Sequence, residues 1–109
     1  HRYAYLSTES VLAQAGVIAQ AIHGYTFVSN QSRKVTVGAT SFLFRQVKEE
    51  YLHNPVGITR QHNGFTATSE RAAADMLYFN PRYHFDIPEL LDFDKVRAIQ
   101  MEVGYPCSN

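Results

Sequence analysis

The chain has 109 residues with 10 Lys+Arg against 10 Asp+Glu, 45% hydrophobic and 13% aromatic, which excludes a disordered, fibrous or membrane-spanning class. At this length a fold buries roughly two-thirds of the surface its unfolded chain exposes, so one core forms without staples and a second domain does not fit. One cysteine, Cys107, leaves no disulfide framework and no thiolate zinc site, and points to a reducing, cytoplasmic setting.

The most apolar window, residues 11–28, contains Gln14, Gln20, His23, Gly16 and Gly24, and lacks the charged start and cleavage site of an export signal. No membrane partner is expected. The chain opens His1-Arg2-Tyr3 without a methionine, so it reads as a fragment or a processed product. Residues 1–60 hold six basic and three acidic residues, a net of +3, while residues 61–109 hold four and seven, a net of −3. Such a dipole can steer a polyanion to one face; chance segregation on a solvated surface is the alternative.

In chain order, residues 3–6 alternate as a short strand, and Ser7 or Thr8 caps a helix through Ala15, with Glu9 in its first turn and Val11, Leu12 and Ala15 on one face. Gly16 suits the left-handed position after the helix. Residues 17–22 fit a turn of helix or a strand. Tyr25-Thr-Phe-Val-Ser29 has strand composition, and residues 30–32 break it. Residues 34–37, Gly38 and residues 41–47 outline a hairpin. In its second arm Phe42 and Phe44 point one way and Leu43 and Val47 the other, as in a strand covered on both faces. Residues 48–55 form a polar connection with a helical turn over residues 49–52.

Asn63-Gly64 then predicts a type I′ two-residue turn, setting His62 opposite Phe65, Gln61 opposite Thr66 and Arg60 opposite Ala67. Thr68 or Ser69 caps a helix running to about Phe79, where Asn80-Pro81 stops it. Its stripe is Ala72, Ala73, Met76 and Leu77, with Arg71 and Asp75 one turn apart on the other side. Residues 88–91 suit one helical turn. Asp92 or Asp94 caps a last helix carrying Val96, Ile99, Met101 and Val103, ended by Gly104 and Pro106. The expected fold is a single α+β domain, residues 1–109, with a mixed or antiparallel sheet of hairpins and packed helices.

The chain contains no phosphate-binding lysine loop, dinucleotide glycine fingerprint, nucleophile-elbow serine or paired-histidine helix. Its five histidines show no i, i+3 or i, i+4 pair, so no metal is expected. Glu49-Glu50 and Asp92-x-Asp94, with Asp86 and Glu89 nearby, are the candidate magnesium carboxylates, but helix capping and a polar connection account for them and are the preferred explanation. Arg33, Lys34, Arg45 and Arg60 fall in or beside strands that also hold Tyr25, Phe27, Phe42 and Phe44, a mixture suited to phosphate contact and base stacking. Aromatic core and protection of sheet edges are the structural alternatives.

The helical segment Thr68-Ser-Glu-Arg-Ala-Ala-Ala-Asp75-Met-Leu-Tyr-Phe-Asn-Pro81 resembles the Ser-Pro-Glu-Arg/Lys-Ala-x-x-Asp-Leu-Leu segment of AbiEi-type antitoxins. Tyr5-Leu-Ser-Thr-Glu-Ser-Val-Leu-Ala-Gln-Ala-Gly-Val-Ile18 is similar to their Tyr-Leu-Ser opening, Thr40-Ser-Phe-Leu-Phe-Arg-Gln-Val47 to their aromatic-basic strand, and Asp92-Phe-Asp-Lys-Val-Arg97 to the start of their last helix. The resemblance implies the antitoxin domain of a cytoplasmic, prokaryotic type IV toxin-antitoxin regulator that opposes a nucleotidyltransferase toxin and contributes to repression of its own operon. It implies no catalytic residue and no cofactor, and it marks Glu70, Arg71 and Asp75 as motif positions that serve structure or binding. The family's N-terminal winged helix-turn-helix has no counterpart here, and Ser69 stands where the family favours proline. Only weak DNA binding is therefore expected of this chain. Two alternatives stay open: a nucleic-acid-binding accessory domain using the basic strands, and a divergent metal-dependent nuclease.

Overall fold

The computed structural model describes residues 3–19, 24–62 and 64–106. Within them the chain runs β1 (Ala4–Leu6), α1 (Glu9–Gln14), β2 (Gly24–Ser29), β3 (Arg33–Val37), β4 (Thr40–Gln46), α2 (Glu49–Leu52), β5 (Ile58–Gln61), β6 (Gly64–Ala67), α3 (Ser69–Phe79), a 3-10 turn (Pro88–Leu90) and α4 (Phe93–Val103). The strands form one mixed sheet in the order β3-β4-β2-β1-β6-β5, so the domain is α+β as its pattern implied. The central β1 pairs antiparallel with β2 and parallel with β6, β2 pairs parallel with β4, and each edge is closed by a hairpin.

The alternation of side chains assigns the two faces of this sheet. Tyr5, opposite Val28, and Thr26 and Ala67 are buried beneath the helix layer, in which α3 packs on both α1 and α4. Leu12, Val17, Leu52, Met76, Val96 and Ile99 fill the space between. The opposite face carries Leu6, Tyr25, Phe27, Phe42 and Phe44, and no described helix packs on it. The expectation that β4 is covered on both faces is therefore corrected: no described helix lies over its Phe42 and Phe44 side, where both rings are half-buried.

Local signals set most element ends. Thr68 Oγ1 accepts from the Arg71 amide at 3.2 Å, and Asp92 accepts from the Asp94 and Lys95 amides, so both caps stand where they were read. Gly104 takes φ +96° and closes α4, but Met101 is 71% exposed and lies off the buried stripe of Val96, Ile99 and Val103. The start of α1 differs from expectation. Thr8 occupies the cap position at φ +55° without a side-chain cap bond; instead the Thr26 hydroxyl, from β2, accepts from the Ser10 amide at 3.0 Å. Ser10 Oγ accepts in turn from the Thr26 amide at 2.8 Å. Val17 and Ile18 are buried in a bend, while residues 20–23, and with them part of the ambiguous 17–22 segment, lie outside the described residues, as do Asn63 and Cys107.

The β5–β6 register also differs. Gln61 pairs with Gly64, Arg60 with Phe65, Thr59 with Thr66 and Ile58 with Ala67, two residues away from the pairing of His62 with Phe65. The reason is where α3 begins. With Thr68 as its cap, β6 ends at Ala67, and the expected pairing would set Thr59 and Ile58 against residues 68 and 69 of the helix start. A slide of two keeps every side chain on its face, so burial does not oppose it. Nor is His62 left-handed, as a type I′ turn would require, since Thr8 is the only described non-glycine with positive φ. Gly64 remains strained for any other residue, at φ +135° with open space around its would-be Cβ. Gly64→Val is expected to lower unfolding free energy by about 1 kcal/mol or more through backbone conformation alone; a urea titration with an unchanged midpoint would refute this.

Candidate functional site

Arg71 and Asp75, which a helical wheel places away from the stripe, are both 0% exposed. The reason is visible in their surroundings: α3 carries alanine at 72, 73 and 74, and its flanks are enclosed by β1, the α2–β5 connection and the segment after α4. All five Arg71 N–H groups are used. Nε donates to Asp75 Oδ1 at 3.2 Å, Nη1 to the carbonyls of Asn54 and Val56 at 2.9 and 2.6 Å, and Nη2 to Tyr5 Oη and the Tyr51 carbonyl, each at 3.0 Å. Asp75 is equally filled. Its Oδ2 accepts from Tyr5 Oη at 2.9 Å and Ser7 Oγ at 2.7 Å, and its Oδ1 accepts from Tyr105 Oη at 2.5 Å besides Arg71.

Burial pushes the Asp75 carboxyl upward, opposed by Arg71 and by the hydroxyls of Tyr105, Ser7 and Tyr5. Burial works against the Arg71 cation too, but the Asp75 charge and the two phenol oxygens outweigh it and raise its pKa. Burial and the adjacent Asp75 hold the Tyr5 and Tyr105 phenols far above their usual range, so both stay donors. A saturated, water-excluded pair has no lone pair or N–H to offer a substrate; it organises the fold. Had it been exposed, it would stabilise α3 by only about 0.3 to 0.5 kcal/mol. Buried, its disruption leaves an uncompensated charge: Asp75→Ala is expected to cost about 3 to 5 kcal/mol. The double variant Arg71→Met/Asp75→Ala should lose less than the sum of the singles, which chemical denaturation will measure. Additive losses would show that the two side chains are not coupled.

The four basic strand residues do not form one cluster. Arg33 and Lys34 lie on β3, one edge of the sheet, and Arg60 lies on β5, the other edge; all three are exposed. Arg45 points from β4 toward the helix layer, where it grips Glu9 through both terminal guanidinium nitrogens, Nη2 to Oε2 at 2.8 Å and Nη1 to Oε1. Nη1 also donates to Thr8 Oγ1 at 3.1 Å, and the guanidinium lies 5.6 Å from the Phe79 ring centroid. Arg45 is thus already paired with a carboxylate and stands apart from Arg33, Lys34 and Arg60, with which the sequence had grouped it. Burial raises the Glu9 pKa, but its bonds to Arg45 bring it below the usual value. A lowered acid pKa contributes stability that is present above the unfolded value and lost as pH falls through the folded one. Between about pH 5 and about pH 3 the melting temperature should therefore fall more steeply in the native chain than in Glu9→Gln; parallel slopes would remove Glu9 from the acid response.

The feature missed in the sequence is the open sheet face. Tyr25 stacks on Phe42, with centroids 5.6 Å apart and planes 20° apart, and Phe27 on Phe44 at 5.0 Å and 15°. Tyr25 is 46% exposed and Val37, on the same face at the β3 edge, 64%. None of the six strands contains an aspartate or glutamate, although they hold Arg33, Lys34, Arg45 and Arg60. The alternation of aromatic residues at 25, 27, 42 and 44 was the available signal; that no described helix covers them is a tertiary fact. Glu70 accepts from the Asp92 amide at 3.2 Å and so ties the start of α3 to the cap of α4.

Asp92 is engaged as that cap, and Glu49 bonds Asn30 and His53. Among the described residues no three His, Cys, Asp or Glu side chains converge as a metal site. No helix among them is long and apolar enough to cross a membrane. No protein-family model matches this chain, and no match is found among curated proteins or solved structures.

Proposed function

We propose that the chain is the antitoxin domain of a type IV toxin-antitoxin regulator, acting against a nucleotidyltransferase toxin by binding rather than by catalysis. One observation supports this reading above the others. The two segments with the strongest resemblance to AbiEi-type antitoxins, at residues 5–18 and 68–81, are far apart in sequence, yet their polar residues meet in one buried network: Tyr5 and Ser7 from the first, Arg71 and Asp75 from the second. Motif residues that depend on one another in space make a coherent signature of a fold, which unrelated capping motifs do not. The domain itself transfers and hydrolyses nothing in this reading, and its setting is cytoplasmic. Co-expression with a cognate nucleotidyltransferase toxin should relieve growth arrest, and Asp75→Ala, by destabilising the domain, should reduce the relief. Continued arrest in the presence of soluble domain would sink the proposal. So would magnesium-dependent cleavage of nucleic acid lost in a folded Asp92→Ala variant.

A second reading, affinity for nucleic acid as the domain's contribution to autoregulation, is favoured by the absence of acids from all six strands. Arg33, Lys34 and Arg60 are its exposed strand cations. Their separation on two edges supports weak binding without base-specific readout.

A further inference from the structure

We propose that the open face of the sheet is a stacking platform for single-stranded nucleic acid, with Tyr25 and Phe42 as its rings and Arg33 as its phosphate contact. The proposal rests on the nucleic-acid reading above and names its ligand and site. The two ring pairs, Tyr25 on Phe42 and Phe27 on Phe44, stand on successive rows of one face. Rows two residues apart along a strand are about 6.6 Å apart, a step that the backbone of an extended single strand spans. Bases held in a duplex present no face to such rings, whereas unpaired bases do.

Beside the rings, a hollow of about 350 Å³ lies between β2 and the β5–β6 hairpin. Leu6, Tyr25 and Phe27 give it apolar walls, and Gln61, His62 and Thr66 give it a polar rim. An amide and an imidazole carry both donor and acceptor groups, which matches the mixed edge of a base. Charge chooses the occupant. Arg33 pairs with Phe44 in the register and so shares the open face, Lys34 stands at the same edge, and no strand offers an acid. Lys34, opposite Leu43, belongs to the other side of β3, so Arg33 is the strand cation of this face, and a second copy of the chain would offer it no acid from any strand. A phosphate backbone supplies the counter-charge.

The test uses the whole chain, a fluorescein-labelled oligothymidylate and the corresponding duplex, with anisotropy read at graded salt. The single strand should bind more tightly than the duplex. Tyr25→Leu, and Tyr25→Leu with Phe42→Leu, should weaken binding by about tenfold or more, since leucine keeps the apolar surface and removes the stacking face. Tyr25→Phe should retain affinity. Circular dichroism and melting temperature establish that each variant folds. The native chain has no tryptophan, so the oligonucleotide should quench its tyrosine emission, and Tyr25→Phe should bind with less quenching. Arg33→Gln with Lys34→Gln should flatten the log-log salt dependence by about 0.7 per lost contact.

If the charge variants weaken binding while the ring variants do not, or if the duplex binds as tightly as the single strand, the platform is refuted and a purely electrostatic affinity remains. If neither nucleic acid binds at low salt, the platform and the reading beneath it both fail. Sedimentation showing a dimer that Tyr25→Leu/Phe42→Leu dissociates would assign the face to self-association and overturn the proposal.

Discussion

The domain is organised around a charge that its own chain must neutralise. A carboxylate and a guanidinium without water are costly to bury, and removal of either partner strands the other. Arg71 and Asp75 meet that constraint by recruiting partners from almost every part of the fold. Tyr5 and Ser7 come from the central strand and its exit, one carbonyl from α2 and two from the α2–β5 connection, and the Tyr105 hydroxyl from beyond α4. The rings of Tyr51, Tyr78 and Tyr105 pack edge-on and stacked around the site and keep it dry. Position by position, the surrounding backbone is held where these donors and acceptors require it.

This constraint separates what was legible in the sequence from what was not. The Thr68 and Asp92 caps, the left-handed Gly104, the short α2 and the β3–β4 hairpin depend on residues within a turn of each other, and those could be read directly. The β5–β6 register depends on where the next helix starts, and the capping of α1 on a hydroxyl in another strand. Neither is encoded nearby. The burial of Arg71 and Asp75 had a local trace, three alanines between them that leave α3 without a clear solvent side, but an i, i+4 ion pair reads by default as surface. The four basic residues looked like a group because they share strand context; sheet order sends Arg33 and Lys34 to one edge and Arg60 to the other, while Arg45 is claimed by Glu9.

The two faces of the sheet divide labour in the same physical terms. Beneath the helices, polar groups are matched one by one, down to the reciprocal bonds between Thr26 and Ser10. On the open side, the aromatic rings stack in pairs beside Leu6. Satisfied interiors specify a fold, while stacked rings left in water carry surface that a ligand can still cover. The acids follow this division: every one of them sits in a helix, a cap or a loop, and the one that meets a strand cation, Glu9 on Arg45, does so on the helix side of the sheet.

The Tyr105 hydroxyl also has a temporal meaning. Asp75 receives donors from residues 68 and 70 positions earlier and from one 30 positions later. A chain emerging from the ribosome therefore holds Tyr5, Ser7, Arg71 and Asp75 well before the last donor is made. Until Gly104 turns the backbone and Tyr105 arrives, one oxygen of the buried carboxylate lacks its shortest bond. Closure of the network is thus delayed until α4 docks, and the nascent domain exposes its sheet and an incompletely bonded ion pair together, the state in which chaperones and proteases find their substrates.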